Sequence, residues 1–417
     1  MKRYNAYKDS GVKWIGEIPS HWKTTKLKHI IVKLYREKRP NSELLVCSNK
    51  GKVIKKGDSK IGLVADNDDI YQGVCKGDLL IHGMDTWHGA IAISNFDGMC
   101  TPVVHVCDSK QNKTYIALYL QFMAISKVFK LISNGVRQNT SDFRSWDKVG
   151  AIPIMVPPLH EQQAIVGYLK DKTLKIEQYV SARERERELL DSLKQSEIAN
   201  VVTKGLNPNV KMKDSGIPWI GEIPEHWTTR KIKFLFKERS EKGYPNEPVL
   251  CATQKYGVIP QSMYENRVVV VNKGLEGLKL VKEGDFVISL RSFQGGIEYA
   301  HYQGIISAAY TVLSPSSEVN SDYIKYLFKS HPFIELLKTC VTGIREGQNI
   351  NYDLLRKSSI MLPPLSEQQA IVAYIDEKLQ KIDQYKSDLQ REIDYLKEFK
   401  QRLISDAVTG QLCVTKQ

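Results

Sequence analysis

The chain has 417 residues, enough for two or three domains with cores of their own, which excludes a small module stapled by disulfides or a metal. Hydrophobic residues at 42% and charged residues at 26% are globular values, and no run approaches the ~18 consecutive apolar residues of a membrane-spanning helix. Lys and Arg number 60 against 47 Asp and Glu, a net charge of +13 that favours a phosphate-rich partner.

The first residues are polar and basic, without the apolar stretch of a secretory signal, so the expected location is the cytoplasm. Seven scattered cysteines contain no Cys-x-x-Cys pair and read as reduced, buried thiols. Residues 9–22, D-S-G-V-K-W-I-G-E-I-P-S-H-W, return at 214–227 as D-S-G-I-P-W-I-G-E-I-P-E-H-W, identical at 11 of 14 positions. In this tag Trp14, Ile15, Ile18 and Trp22 supply apolar anchors, and Trp22 and Trp227 are expected in the core. A second tag, P-P-L-H-E-Q-Q-A-I-V at 157–166, returns at 363–372 with 9 of 10 positions the same. The chain is therefore two copies of one unit, each too long for a solenoid repeat.

Between the tags, residues 23–156 and 228–362 match only weakly. Short apolar runs bounded by Gly, Asp and Asn predict strands at 44–46, 78–81 and 90–93 in the first copy and at 285–288 in the second. Helices are predicted over 114–133 and 322–339, the latter broken before Pro332. Each half then closes on a long charged helix of about 40 residues, roughly 60 Å at 1.5 Å per residue. In the second, Ser366 and Gln369 form the pattern of a capping box, and Ile375, Ile382, Leu389, Leu396 and Leu403 recur at sevens, with Leu379 and Ile393 filling the seam of a coiled coil. The first carries Leu169, Ile176 and Leu190 in the same register but Arg183 and Glu197 where the second has Leu389 and Leu403, so a partner helix must supply part of its burial. Gly205 and Gly410 are positioned as left-handed terminal caps.

Catalytic patterns are missing: the sequence contains no phosphate-binding G-x-x-x-x-G-K-[ST] loop, no G-x-G-x-x-G after a strand, no Asn-Pro-Pro-Phe/Tyr and no H-E-x-x-H. Asp78 and Asp285 are nominal nuclease carboxylates, although both follow glycine before a strand, where Asp is ordinary turn chemistry. Three loops per half carry side chains suited to nucleic acid: Asn49, Lys50 and Lys52 against Gln254 and Lys255; Thr86 and His88 against Arg291, Ser292 and Gln294; Arg137, Gln138 and Asn139 against Arg345, Gln348 and Asn349. Arg pairs with guanine, Asn and Gln pair with adenine, and Lys and Ser bind phosphate. The bland alternative for any one of these loops is a solvated turn.

The duplicated tags, the G-D turn before a strand and the Gly-x-Arg segments together resemble the specificity subunits of type I restriction-modification enzymes, over essentially the whole chain. The resemblance implies an α+β chain with two pseudo-symmetric α/β target recognition domains separated by a long antiparallel two-helix coiled coil. Their expected bounds are 1–156 and 206–362, with spacer helices at 157–205 and 363–417. It implies a non-catalytic subunit on double-stranded DNA, each domain reading half of a split target. Two modification (methyltransferase) subunits and two restriction (translocase and nuclease) subunits are the implied partners, holding S-adenosylmethionine, ATP and Mg, with no cofactor on this chain. The competing readings are a basic coiled-coil scaffold without sequence-specific DNA binding and a self-sufficient DNA-modifying or DNA-cleaving enzyme.

Overall fold

A computed structural model describes all residues except 1, 38–41, 58–69, 134–142, 266–273, 291, 343–348 and 416–417. The chain divides into two compact units, residues 1–184 with 390–417 and residues 185–389, so each long helix contributes to both. No helix among the described residues is long and apolar enough to cross a membrane.

In the first unit, strands β1 (Ile31–Lys33), β2 (Leu45–Ser48), β3 (Lys52–Lys55), β4 (Leu79–His82), β5 (Ile91–Ile93) and β6 (Val104–Ser109) precede helices α1 (Lys113–Ile125), α2 (Val128–Ile132) and α3 (Leu159–Lys204). Four strands form an antiparallel sheet in the order β1-β6-β4-β5, and β2 and β3 form a separate hairpin. Along β4, Leu79 and Ile81 point into one core with α1, while Leu80 points into a second core with Leu45 and Val53 of the hairpin. Both faces of the sheet are therefore covered, which explains why its strands read as continuous apolar runs.

The second unit repeats the plan with β7 (Phe236–Arg239), β8 (Leu250–Thr253), β9 (Gly257–Pro260), β10 (Phe286–Ile288), the short helix α4 (Ser292–Gly295), β11 (Glu298–Tyr299), β12 (Thr311–Pro315), α5 (Ser321–Lys329), α6 (His331–Thr339) and the long α7 (Leu365–Val408). The sheet order is β7-β12-β10-β11, with Phe286 and Ile288 in the helix-side core and Val287 in the hairpin-side core. The predicted break in the second helical stretch falls at Ser330, with Pro332 in the first turn of α6. Contrary to expectation, 114–133 is also broken: Ser126 ends α1 and Lys127 adopts φ +57, so α1 and α2 are separate.

Both tags are decoded by their hydrogen bonds. Trp22 and Trp227 are 0% exposed. Trp22 Nε1 donates to Glu161 Oε2 at 2.9 Å, and Tyr4 Oη donates to the same oxygen. Trp227 Nε1 likewise donates to Glu367 Oε2 at 2.9 Å. His21 and His226 sit 2.6 and 2.8 Å from the same two carboxylates. The neighbouring Gln162 and Gln368 are fully buried. Gln162 accepts from the backbone N–H of Asn112 at 2.9 Å and donates to the Pro157 carbonyl; Gln368 does the same with Asn320, at 2.7 Å, and Pro363. Asn112 and Asn320 are the N-caps of α1 and α5, accepting from Tyr115 N and Tyr323 N. One tag thus grips the other and fixes where α1 and α5 begin.

Within each unit the long helices run antiparallel. In the first, Glu177 pairs with Lys400 at 2.5 Å and Glu184 with Lys397 at 3.0 Å, over a seam of Leu169, Ile176, Leu403 and Ala407. In the second, Lys194 pairs with Asp383 and Asp191 with Lys386, over Val201, Val202, Ile371 and Ile375. The polar seam positions are matched across the helix pair: Arg183 Nε lies 3.1 Å from Glu392, and Glu197 accepts from Tyr374 Oη at 2.6 Å. One expectation fails here. Ser366 is not a cap, because Glu367 N and Gln368 N already donate to Pro364 O and α7 begins at Leu365.

Gly205 and Gly410 both adopt φ +78 beyond their helices. A methyl group on Gly410 would lie 2.3 Å from Pro19, and one on Gly205 would lie 3.2 Å from Trp227, so only glycine seats these ends on the first tag. Tyr115 Oη donates to Val408 O at 3.1 Å and Tyr323 Oη to Val202 O at 2.8 Å, tying α1 and α5 each to the end of a long helix. All seven cysteines are free, and six are buried, as the sequence suggested. Burial pushes the Cys100 and Cys107 thiols up to about 12.

Candidate nucleic-acid interface

Each unit carries its first two loops at the free end of its hairpin and central strands. In the first unit the β2–β3 turn holds Asn49 and Lys50, both exposed, with exposed Lys52 beginning β3. The loop after β4 forms a single turn of 3-10 helix, Thr86–His88, closed by Gly89 in the left-handed region. Asp85 organises it, with its carboxylate 3.3 Å from His82 Nδ1 and 3.8 Å from His88 Nδ1. Burial, partly offset by Asp85, lowers the His82 pKa. The two loops abut: a methyl group on Gly89 would lie 3.9 Å from the Asn49 carbonyl.

The second unit brings its loops together more closely. Gln254 and Lys255 occupy the β8–β9 turn, whose shape is set by Thr253 Oγ1, accepting from Tyr256 N at 2.9 Å and donating to Gly257 O. A methyl group on Gly295 of α4 would lie 3.0 Å from the Gln254 side chain, and Asn349–Ile350, from the third loop, lies against α4. Here the surface is concave. A groove of about 1160 Å³ is lined by Gln254, Lys255, Tyr256, Gln294, Glu298, His301 and Tyr302 among others. Lys255 sits over the Tyr256 ring at 4.7 Å, and its pKa is raised by that hydroxyl. His301 stacks edge-on against Tyr299 at 4.9 Å; burial and then Lys325 lower its pKa. Amide, ammonium and aromatic groups at one concavity are suited to base edges, phosphates and base faces.

Two nominated residues require correction. Thr86 is 1% exposed and Ser292 is 0% exposed, so neither side chain is available to a base. Ser292 Oγ instead accepts from Ser289 N at 2.8 Å and shapes its loop. Asn49, Lys50, Lys52, His88, Gln254, Lys255, Gln294 and Asn349 are exposed. Arg137, Gln138, Asn139, Arg291, Arg345 and Gln348 lie outside the described residues.

The nominal nuclease carboxylates are structural. Asp78 pairs with Arg36 and accepts from Cys75 N at 2.7 Å; Asp285 accepts from Arg239 Nε at 2.8 Å and from Lys282 N at 2.8 Å. Each closes the turn that launches its central strand.

Residues 224–394 match the family model described as the type I restriction modification DNA specificity domain. Over 436 residues the chain is 24% identical to the putative type I restriction enzyme MjaX specificity subunit of Methanocaldococcus jannaschii, with 96% of each chain covered. Over nearly its whole length the chain is thus similar to a type I restriction enzyme specificity subunit. It is 25% identical over 214 residues to the EcoKI specificity subunit of Escherichia coli, covering 46% of this chain and 44% of that one. In fold it is similar to the HsdS subunit of Thermoanaerobacter tengcongensis, with a TM-score of 0.55, 18% identity and 95% and 98% of the two chains covered. A chain from a structure of type I R-M complex assembly and conformational transition gives a TM-score of 0.67 at 16% identity, covering 95% and 99%.

Sequence reasoning missed one residue of the second unit's groove. Glu298 on β11 is 1% exposed and paired with Lys329 of α5 at 2.7 Å, and burial, outweighing that lysine, pushes its carboxyl up to about 7. Its only sequence signal is a charged residue in the apolar stretch Ile297-Glu298-Tyr299-Ala300, which alternation alone would turn towards solvent.

Proposed function

We propose that the chain is a type I restriction-modification specificity subunit without catalysis of its own, that residues 1–156 and 206–362 each read one half of a split DNA target, and that partner subunits methylate adenine or cleave according to what is read. The observation that carries this reading is a framework repeated bond for bond around loops that differ. The same Trp, Glu, Gln and capping Asn hold both units, while Asn49, Lys50 and His88 face outward in one and Gln254, Lys255 and Gln294 in the other. A pure scaffold has no need of such loops. On this reading the chain works in the cytoplasm with two methyltransferase and two restriction subunits, and S-adenosylmethionine, ATP and Mg are bound by those partners.

The test is base-resolution mapping of N6-methyladenine in cells carrying the complete system, compared with cells lacking only this chain. Methylation lost at one bipartite motif with a fixed gap is the expected result; an unchanged methylome removes the reading. For two readers meeting the same side of B-DNA, half-site centres fall about one helical turn apart, roughly 34 Å. Matched insertions in α3 and α7 are expected to change the gap and leave the half-sites alone. Arg137→Ala is expected to relax one half-site only, at a cost of about 1 to 3 kcal/mol, whereas a uniform loss with a shallower salt slope would make Arg137 a phosphate contact.

A further inference from the structure

One exposed side chain in the groove of the second unit is fixed in place by the fold, yet its ring takes no part in the hydrogen bonding there. His301, two residues beyond β11, lines the groove together with Gln254, Gln294 and Tyr302. Its backbone N–H donates to Val258 O of β9 at 3.3 Å, and its ring packs edge-on against Tyr299 with centroids 4.9 Å apart. Beside it lies Gly257 at φ +70, where a methyl group would come within 2.6 Å of Tyr299 O and 3.1 Å of the imidazole Cδ2. Glycine at that position lets the hairpin close onto Tyr299 and leaves room for the ring. Neither ring nitrogen has a hydrogen-bond partner among the described residues. An exposed imidazole held by packing, with both nitrogens free, is a preorganised polar contact for a ligand. The first unit shows that the fold does not demand it. There Ser94 N donates to Asp78 O as Ala300 N does to Asp285 O, both at 2.8 Å, so the position equivalent to His301 is Asn95, and Lys52 stands where the second hairpin has Gly257.

Resting on the reading that this unit recognises DNA, we propose that His301 is a specificity-determining residue, a ring N–H donating to N7 of one purine on the major-groove edge of the second unit's half-site. A neutral imidazole carries one N–H and a protonated one carries two, so a donor is present in either form. Guanine and adenine both present N7 on that edge and pyrimidines have no ring acceptor there, so this bond selects a purine at one position. A phosphate is the poorer fit. Burial and Lys325 favour the uncharged ring, with Asp322 and Glu283 opposing them only in part, which leaves little Coulombic attraction to an anion. Gln254 and Gln294, exposed along the same groove, are placed to read neighbouring bases.

The experiment uses the full chain with its methyltransferase partners. Methylation motifs are mapped for the wild type, for His301→Ala, and for His301→Asn, which installs the side chain found at this position in the first unit. One purine position of one half-site is expected to admit pyrimidines in His301→Ala, with the other half-site and the gap unchanged, and His301→Asn is expected to alter the preference at that same position alone. In parallel, the wild-type complex is bound to duplexes in which each purine of that half-site is replaced in turn by its 7-deaza analogue, which lacks N7 and keeps its base pairing. One replacement is expected to weaken binding about tenfold, and the loss is expected to vanish in His301→Ala. The wild-type series does not depend on how any variant folds. An unchanged motif in folded variants, relaxation at a pyrimidine position, or wild-type affinity indifferent to every 7-deaza replacement would each overturn the assignment. So would a loss uniform over all sequences with a shallower salt slope, which would make His301 a phosphate contact. Failure of the underlying reading looks different: the wild-type complex would then methylate no split motif.

Discussion

Leu80 and Val287 stand two residues beyond Asp78 and Asp285, yet face Ala92 in one unit and the buried Glu298 in the other. Everything that launches and anchors those strands is the same: an Arg on the Asp, a Trp on the Glu of the second tag, a Gln on the backbone of the capping Asn. The side chains that hold each unit together are thus kept in both copies, while the residue facing the central strand differs. The two units therefore form an internal control, since a substitution in one has a matched counterpart in the other.

The largest expected effect tests the shared anchors. Trp22→Ala and Trp227→Ala each remove a fully buried indole and a hydrogen bond to a carboxylate, at a cost of about 3 to 5 kcal/mol. Hydrogen exchange read by mass spectrometry is expected to show protection lost in residues 1–184 and 390–417 for Trp22→Ala and in 185–389 for Trp227→Ala. Equal loss throughout for either variant would mean that the two units do not melt as separate bodies. A finer asymmetry follows from burial: Glu161 accepts from Tyr4 as well as Trp22 and is more enclosed than Glu367, so Glu161→Ala is expected to destabilise more than Glu367→Ala.

Next in size is a pH effect confined to the second unit. Because burial raises the Glu298 carboxyl from 4.5 to about 7, the folded chain keeps a proton there that the unfolded chain has already released. Stability from this group is complete below pH about 4.5, declines as pH rises towards 7, and is constant above, a span of up to about 3 kcal/mol. Glu298→Gln does not titrate. The melting temperature of the variant minus that of the wild type is therefore expected to climb between pH 5 and 7.5 and then level off, and a flat difference would contradict the burial argument. Glu introduced at Ala92, in the first unit, is expected to be destabilising at neutral pH, since Gln121 offers no charge to meet it.

The caps are a smaller and matched pair. Asn112→Ala and Asn320→Ala remove equivalent side-chain acceptors from α1 and α5 and are expected to cost about 1 kcal/mol each by urea denaturation. Costs that differ severalfold would mean that the framework is less alike than its hydrogen bonds.

Much of that framework was legible in advance because its signals are local or duplicated. Trp22 and Trp227 in the core, the heptad seam, the terminal glycines and the break at Pro332 all follow from residue type and spacing. What escaped depends on tertiary cover. Period-two patterns assign inside and outside by assuming one wet face, but each sheet here has a helix side and a hairpin side both buried, so Glu298 gave no sign of facing inward. Thr86 and Ser292 looked like loop donors and proved buried, because short helical turns fold them under their own loops. The break at Lys127 involves neither Gly nor Pro, and Pro364 O captures the first amides of α7 so that the helix begins two residues before the capping pattern would start it.

The smallest expected effect concerns the two polar residues in the first long helix. Arg183 stands where repeat symmetry puts Leu389, and it meets Glu392 at 3.1 Å with both side chains partly exposed. An ion pair in that setting contributes between 0 and about 1 kcal/mol, little more than an added leucine gains by covering the seam. Arg183→Leu is therefore expected to change stability by less than about 1 kcal/mol, with the sign favouring leucine at high salt, where the lost pair is screened but the burial is not. A loss beyond about 2 kcal/mol, or helix pairs that trap in a shifted register on refolding, would instead give Arg183 the role of fixing alignment, as single polar residues do in coiled-coil seams. Glu197, the other departure, accepts from Tyr374 at 2.6 Å in the second unit, so Tyr374→Phe beside Arg183→Leu tells whether both polar contacts merely tolerate the broken heptad or specify it.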